Sequence, residues 1–151
     1  MIWYAVIDIN VIVSSLLTRN CDSATAMIMD AVADQKIIPL YNAAILEEYE
    51  EYEEVLHRPR FPFHSQTIDG IFRMIQSFDR QVDPHVLKEN LPDPDDVVFY
   101  EVVMEKRVDD AYLITGNAQH FPVRPFIVTP AQMVEIMRAA EASGNPEQEG
   151  N

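Results

Sequence analysis

Residues 3–8 read WYAVID, a short apolar run that ends on an aspartate. Aromatic and β-branched residues without polar alternation mark a strand covered on both faces. A carboxylate directly behind such a strand is costly without a partner. Asp8 is therefore either the cap of the next turn or part of a polar site at the strand's end. No basic leader precedes the run, so it reads as a buried strand and not a signal peptide.

The chain that follows supplies what a buried strand requires. Ser23 reads as the N-cap of a helix reaching Gln35. IIPL at 37–40 is a second short strand, with Pro39 placing it near an edge. Asn42 caps an acidic helix that runs to about His57. RPRFPF at 58–63 is a proline-broken loop. SQTIDGIFRMIQSF at 65–78 is a helix, with Ile68, Ile71, Phe72, Ile75 and Phe78 at helical spacing. A short strand is expected at 80–83 and a loop at 83–96, DPHVLKENLPDPDD. A helix over Val97–Lys106 and a strand over Ala111–Thr115 follow, the strand stopped by Gly116. Phe126–Val128 is the last strand, and Pro130 suits the first turn of a closing helix. Strands separated by helical crossovers predict an α/β fold: a parallel sheet with helices on both faces. Residues 1–140 are expected to form a single domain, and EASGNPEQEGN at 141–151 a polar, disordered tail.

At 151 residues the chain is long enough for one domain with a sizeable core and too short for two ordinary ones. No apolar run approaches the roughly 18 residues of a membrane span. Cys21 is the single cysteine, which excludes an intrachain disulfide and a cysteine-rich zinc site. A cytoplasmic protein is expected. The net charge of −14 argues against a nucleic-acid partner held by a broad basic surface. It favours cationic partners or bound cations.

Ligands of an open parallel sheet bind beyond the carboxyl ends of its strands. Asp8 sits at that edge behind the first strand, and Asn117 follows the strand AYLIT. Asp93, Asp95 and Asp96 precede a helix that can face the same rim. Crowded carboxylates raise one another's pKa unless a cation lies among them. An all-oxygen donor set suits Mg2+ or Mn2+ better than zinc. Such an ion activates water and offsets charge on a phosphoryl oxygen, so metal-assisted phosphodiester hydrolysis is a candidate reaction. Each member also has a structural reading: strand-end cap for Asp8, helix N-cap for the aspartates of DPDD, turn residue for Asn117. The four histidines show no metal triad. His120 alone lies near the rim, where a structural role is expected.

The segment EEYEEYEEVL at 47–56 carries six glutamates. On a helical wheel of about 100° per residue, Ile45, Tyr49, Tyr52 and Leu56 share one arc, expected to face the core. Glu47, Glu50, Glu51 and Glu54 lie on the solvent side. Glu48 and Glu53 flank the apolar stripe, and Glu48 is nearer the helix start and the rim. Geometry selects Glu48 as the inward carboxylate.

YAVIDINVIVSSLL at 4–17, ILEEYEEYEEVLHRPRF at 45–61, DPDD at 93–96 with Phe99, AYLITGNAQHFP at 111–122, and VTP at 128–130 before a helix resemble the PIN-domain family. The closest branch is that of the toxin components of toxin–antitoxin systems related to VapC-like ribonucleases. The resemblance implies a three-layer α/β/α sandwich with a central parallel sheet and Mg2+- or Mn2+-dependent endoribonuclease activity. It implies Asp8, Glu48 and Asp96 as metal-binding carboxylates, with Asn10 orienting Asp8 and Asn117 at the last corner. Asp93 is a further candidate ligand. RNA as substrate, a cognate antitoxin protein and a homodimer are implied in the same way. Three positions depart from the pattern. Ile9 stands where the family has a small hydroxyl residue, and His120 where relatives often have Asp. The acidic helix carries three extra residues, so counting back from VLHRPRF selects Glu51 instead of Glu48.

Two other functions fit parts of the sequence. The acidic charge and Ile9 also suit a PIN-fold binding module for a basic protein partner. The tripeptide DIN resembles the Asp-x-Asp nucleophile of HAD-like phosphatases, but its third residue is Asn10 and no catalytic lysine follows a strand. For an RNA-binding surface the candidates are Arg58, Arg60, Lys106 and Arg107, with surface solvation as their alternative role.

Overall fold

The first strand, β1 (Trp3–Ile7), is the hub of the sheet. In the computed structural model, which describes residues 1–18, 20, 22–58, 65–78, 91 and 96–149, the elements after it run in a regular order. They are α1 (Ile9–Leu17), α2 (Ala24–Ala33), β2 (Ile37–Pro39), α3 (Ala43–Leu56), α4 (Ser65–Gln76), α5 (Val97–Glu105), β3 (Tyr112–Ile114), β4 (Ile127–Val128) and α6 (Pro130–Glu149). Short 3-10 turns occupy Arg107–Asp109 and Ala118–His120. The expected strand at 80–83, together with Cys21, Arg60, Asp93 and Asp95, lies outside the described residues. α6 continues into the segment read as a tail.

All described strands pair in parallel, in the order β2-β1-β3-β4. Ala5, Val6 and Ile7 of β1 are fully buried, as a strand covered on both faces must be. Pro39 falls on the edge strand that its chemistry requires. There the N–H of Leu40 donates to the Ala5 carbonyl at 2.8 Å, which leaves the hydrogen-less Pro39 nitrogen on the outer side of the ladder. α2 packs on β2, α1 and α6, whereas α5 packs on β1, β3 and α3. The chain moves one way across the sheet from β1 to β2 and the other way to β3, so right-handed crossovers put these two groups on opposite faces. The result is the expected α/β/α sandwich.

Two expected caps are formed. Ser23 Oγ accepts the Ala26 N–H at 3.3 Å, and Asn42 Oδ1 accepts the Ile45 N–H at 2.9 Å. One helix has no counterpart in the sequence pattern. α1 begins directly after Asp8, although INVIVSSLL is rich in β-branched residues and looks like a continued strand. Val11 and Ile12 are buried and α1 packs on α2, so tertiary contact overrides local propensity. Around α3, Tyr49 is fully buried between Phe72 and Phe99, with ring centroids 6.0 and 6.3 Å away. Tyr52 breaks the expected apolar arc: it is 41 % exposed, while Ile45, Tyr49 and Leu56 are buried. A helical wheel gives the direction of a side chain but not whether a neighbouring element meets it.

Candidate functional site

β1 and β3 end side by side, with Ile7 in register with Ile114. From this gap the chain runs from β1 to β2 on one side and from β3 to β4 on the other, so the gap is the sheet's topological switch point. Crevices form there because the crossover helices diverge to opposite faces. Asp8 occupies the β1 side and Thr115 the β3 side. Both are buried, and they are the buried polar side chains among the described residues.

Asp8 stands at the N-cap position of α1, yet its side chain makes no capping hydrogen bond there. Its Oδ2 instead accepts the Thr115 hydroxyl at 2.8 Å and the Asn10 amide Nδ2 at 3.3 Å. Asn10 Oδ1 turns the other way and accepts the Gly116 N–H at 2.8 Å. Thr115 Oγ1 also accepts the Asn117 N–H at 3.0 Å. A closed polar ring thus links the ends of β1 and β3 through Asp8, Thr115, Asn117, Gly116 and Asn10. Gly116 has a packing reason to be glycine: a Cβ there would lie 3.3 Å from Asn10 Oδ1.

Burial pushes the Asp8 carboxyl above the usual 3.8. The Thr115 hydroxyl, the Ile9 N–H, the Asn10 amide and the electrostatic influence of His120 oppose that rise. The carboxylate form is thus held in place at an energetic cost. The same burial raises the Tyr49 phenol, and the nearby Asp8 charge adds to it. That hydroxyl donates to the Ile7 carbonyl, fixing α3 against the end of β1.

Asp96 is positioned at the start of α5, also without a side-chain capping bond. Its side chain is only 15 % exposed, and its Oδ2 lies 3.7 Å from Nδ1 of His120. His120, expected to be structural, therefore faces Asp96 directly and reaches Asp8 through its field. Asn117 precedes the Ala118–His120 turn and does not cap it with its side chain. Asp8, Asn10, Asp96, Asn117 and His120 thus belong to one neighbourhood on the carboxyl edge of the sheet. Glu48 lies on α3 beside Tyr49 and is half-buried, whereas its rival Glu51 is exposed. Glu47, Glu50 and Glu54 are exposed as the wheel requires.

Two features were not anticipated. Thr115 is the residue that anchors Asp8, and its only sequence signal is a hydroxyl ending an apolar strand. The second is a group on α3 and α4: the ligand-type atoms of Glu53, His57 and Asp69 all lie within 4.8 Å of one another. His57 Nε2 is 2.8 Å from Asp69 Oδ1. Burial, a hydrogen bond to Asp69 and the charge of Asp69 push the Glu53 carboxyl up to about 7. Asp69 is lowered by its bonds to Glu53 and His57. Among the basic candidates, Arg107 is committed internally. Its Nη1 donates to the Ala111 carbonyl at 2.5 Å, and its guanidinium stacks 4.4 Å from the centre of the Phe126 ring. Lys106 lies 3.8 Å from Asp109. Among the described residues, no helix is long and apolar enough to cross a membrane.

No curated protein and no solved structure matches the chain. The family model for the PIN domain matches residues 4–119. That span runs from β1 through the Thr115–Asn117 corner and covers most of the chain, and on this match the protein belongs to the PIN-domain family.

Proposed function

We propose that the protein is a metal-dependent endoribonuclease whose centre is the Asp8 rim. PIN domains in general are metal-dependent nucleases. The observation that carries the reading here is Asp8 itself. It is a buried carboxylate at the sheet's switch point, unused as a helix cap and fixed by Thr115 and Asn10. A carboxylate and amide donor set of this kind fits a hard dication, Mg2+ or Mn2+. Asp8 and Asp96 would hold it, with Glu48 as the third carboxylate and Asp93 as a further one. Glu48 is preferred to Glu51 because it is half-buried on the α3 flank next to Tyr49, while Glu51 faces solvent.

When bound, the ion supplies a polarised water and neutralises charge on the scissile phosphate. The chain's own residues do the positioning. Thr115 and Asn10 hold Asp8 in one rotamer, so little reorganisation is required on binding. Asn117, with its backbone tied to Thr115, can orient water or a phosphate oxygen. The sequence resemblance extends the reading to the toxin of a toxin–antitoxin pair, with a basic antitoxin as partner and a homodimeric assembly.

A cleavage assay on RNA with Mn2+ tests the core of this. The wild-type protein should cut, and Asp8→Asn should lose cutting while keeping its circular dichroism spectrum. Cleavage that persists unchanged in Asp8→Asn refutes the assignment. A second reading is a PIN-fold module that binds a basic partner with little catalysis. The net charge of −14 and the internal engagement of Arg107 favour it. A protein that binds neither Mg2+ nor Mn2+ at millimolar concentration would favour that alternative over the nuclease.

A further inference from the structure

Glu53, His57 and Asp69 play no part in the nuclease reading. Glu53 and His57 are four residues apart, one turn along α3, so their side chains leave the helix on the same face. His57 is the last-turn cap residue of α3. Asp69 comes from α4, which packs on α3 but supplies none of the rim residues. Glu53 lies five residues beyond Glu48, or roughly 7.5 Å further along the helix axis. The group is therefore spatially separate from Glu48 and built from two elements.

Two carboxylates in contact repel unless a positive species lies between them, here the proton of the Glu53–Asp69 hydrogen bond or a cation in its place. The hydrogen bond between His57 Nε2 and Asp69 Oδ1 fixes the imidazole beside Asp69, with a carboxylate oxygen of Glu53 within 4.8 Å of the group. A tetrahedral ion with bonds of about 2.0–2.2 Å needs ligand atoms roughly 3.3–3.5 Å apart. The three atoms already lie within 4.8 Å of one another, near the spacing such an ion requires. His57 is exposed and the two acids are half-buried, which leaves one side open for water.

We propose that Glu53, His57 and Asp69 form a second cation site that takes a transition-metal dication such as Zn2+ and clamps α3 to α4. The imidazole decides the class of ion. Mg2+ favours six oxygens and retains its waters, whereas a nitrogen with two carboxylates suits Zn2+ and its neighbours in the transition series. Because α3 also carries Glu48, the clamp fixes the helix from which the rim draws its third carboxylate.

The test is calorimetric titration of untagged full-length protein with Zn2+ alone, carried out in the Asp8→Asn background to weaken the rim. One saturable event is expected. His57→Gln and Asp69→Asn should each weaken it at least about tenfold. Circular dichroism must show both variants folded, and Zn2+ should raise the melting temperature only when the triad is intact. Retained affinity in both folded variants overturns the proposal, because the ion then binds elsewhere. Absence of Zn2+ binding up to millimolar concentration overturns it as well, leaving only the hydrogen bond between His57 and Asp69. Loss of nuclease activity in Asp8→Asn with Zn2+ binding intact separates this site from the rim.

Discussion

Thr115→Val should be far more damaging than its near-isosteric shape implies. The hydroxyl makes two bonds: it donates to the Asp8 carboxylate at 2.8 Å and accepts the Asn117 N–H at 3.0 Å. Thr115 is fully buried, so water does not replace either partner. A hydrogen bond to a charged group contributes about 1.5–3 kcal/mol and a neutral one about 0.5–1.5 kcal/mol. The expected loss at neutral pH is therefore roughly 2–4 kcal/mol. For a domain of this size that corresponds to a fall of about 10 °C in melting temperature. Urea unfolding followed through Trp3, the single tryptophan, measures it.

The sign of the pH dependence makes the prediction specific. The Asp8 carboxyl is already raised above 3.8 by burial, and the Thr115 bond is the largest influence holding it down. A raised folded pKa means that stability is greatest when Asp8 is protonated and is lost as pH rises through the folded value. Removing Thr115 raises that value further, so the variant loses more than the wild type across this window. The gap between the two should be largest at pH 7 and shrink as pH falls towards 3.8. In an Asp8→Asn background no charge is buried, and Thr115→Val should cost only about 1 kcal/mol for each neutral bond. The coupling between the two sites is then about 1–2 kcal/mol. An equal loss at pH 4 and pH 7, or an undiminished loss in the Asp8→Asn background, would refute a charged hydrogen bond as the anchor.

Three further substitutions probe separate parts of the molecule. Gly116→Ala places a Cβ 3.3 Å from Asn10 Oδ1, so Asn10 must give by a few tenths of an ångström; RNA cleavage should fall measurably while urea unfolding changes by under about 1.5 kcal/mol. Tyr49→Phe leaves the buried Ile7 carbonyl without its phenol donor and should cost about 1–2 kcal/mol, measured by thermal or urea unfolding. Glu53→Gln, studied with a chelator present, should flatten the pH dependence of stability. With its carboxyl raised from 4.5 to about 7, the contribution of Glu53 is full below 4.5 and lost as pH rises through about 7. Its partial exposure keeps the change below about 1 kcal/mol, so melting curves at pH 5 and pH 8 should converge in the variant.

WYAVID, the caps Ser23 and Asn42, and the placing of Pro39 at an edge were all legible because each is a local effect. A covered strand needs continuous apolar residues, an N-cap needs a short side-chain acceptor, and proline has no hydrogen to donate. The α/β/α class follows from the alternation of those elements. The carboxylate Asp8 was legible for a related reason: its burial behind β1 demands a partner. α1 was not legible, since INVIVSSLL has the composition of a strand and becomes helical by packing on α2. Tyr52 was misplaced because an apolar arc does not say which elements cover it.

The identity of the partners belongs to the tertiary structure alone. Asp8 and Thr115 are 107 residues apart in sequence and meet only because β1 and β3 end in register. His120 faces Asp96 for the same reason, at the corner where the turn after β3 approaches α5. Glu53 and His57 share a helix turn that any sequence pattern displays, but Asp69 joins them only when α4 folds onto α3. What the amino-acid order determined by itself was the set of elements and the cost of a buried carboxylate. Which groups meet that cost was decided by the fold, because hydrogen bonds and ion contacts act over a few ångströms and only the packed chain brings such distant residues within that range.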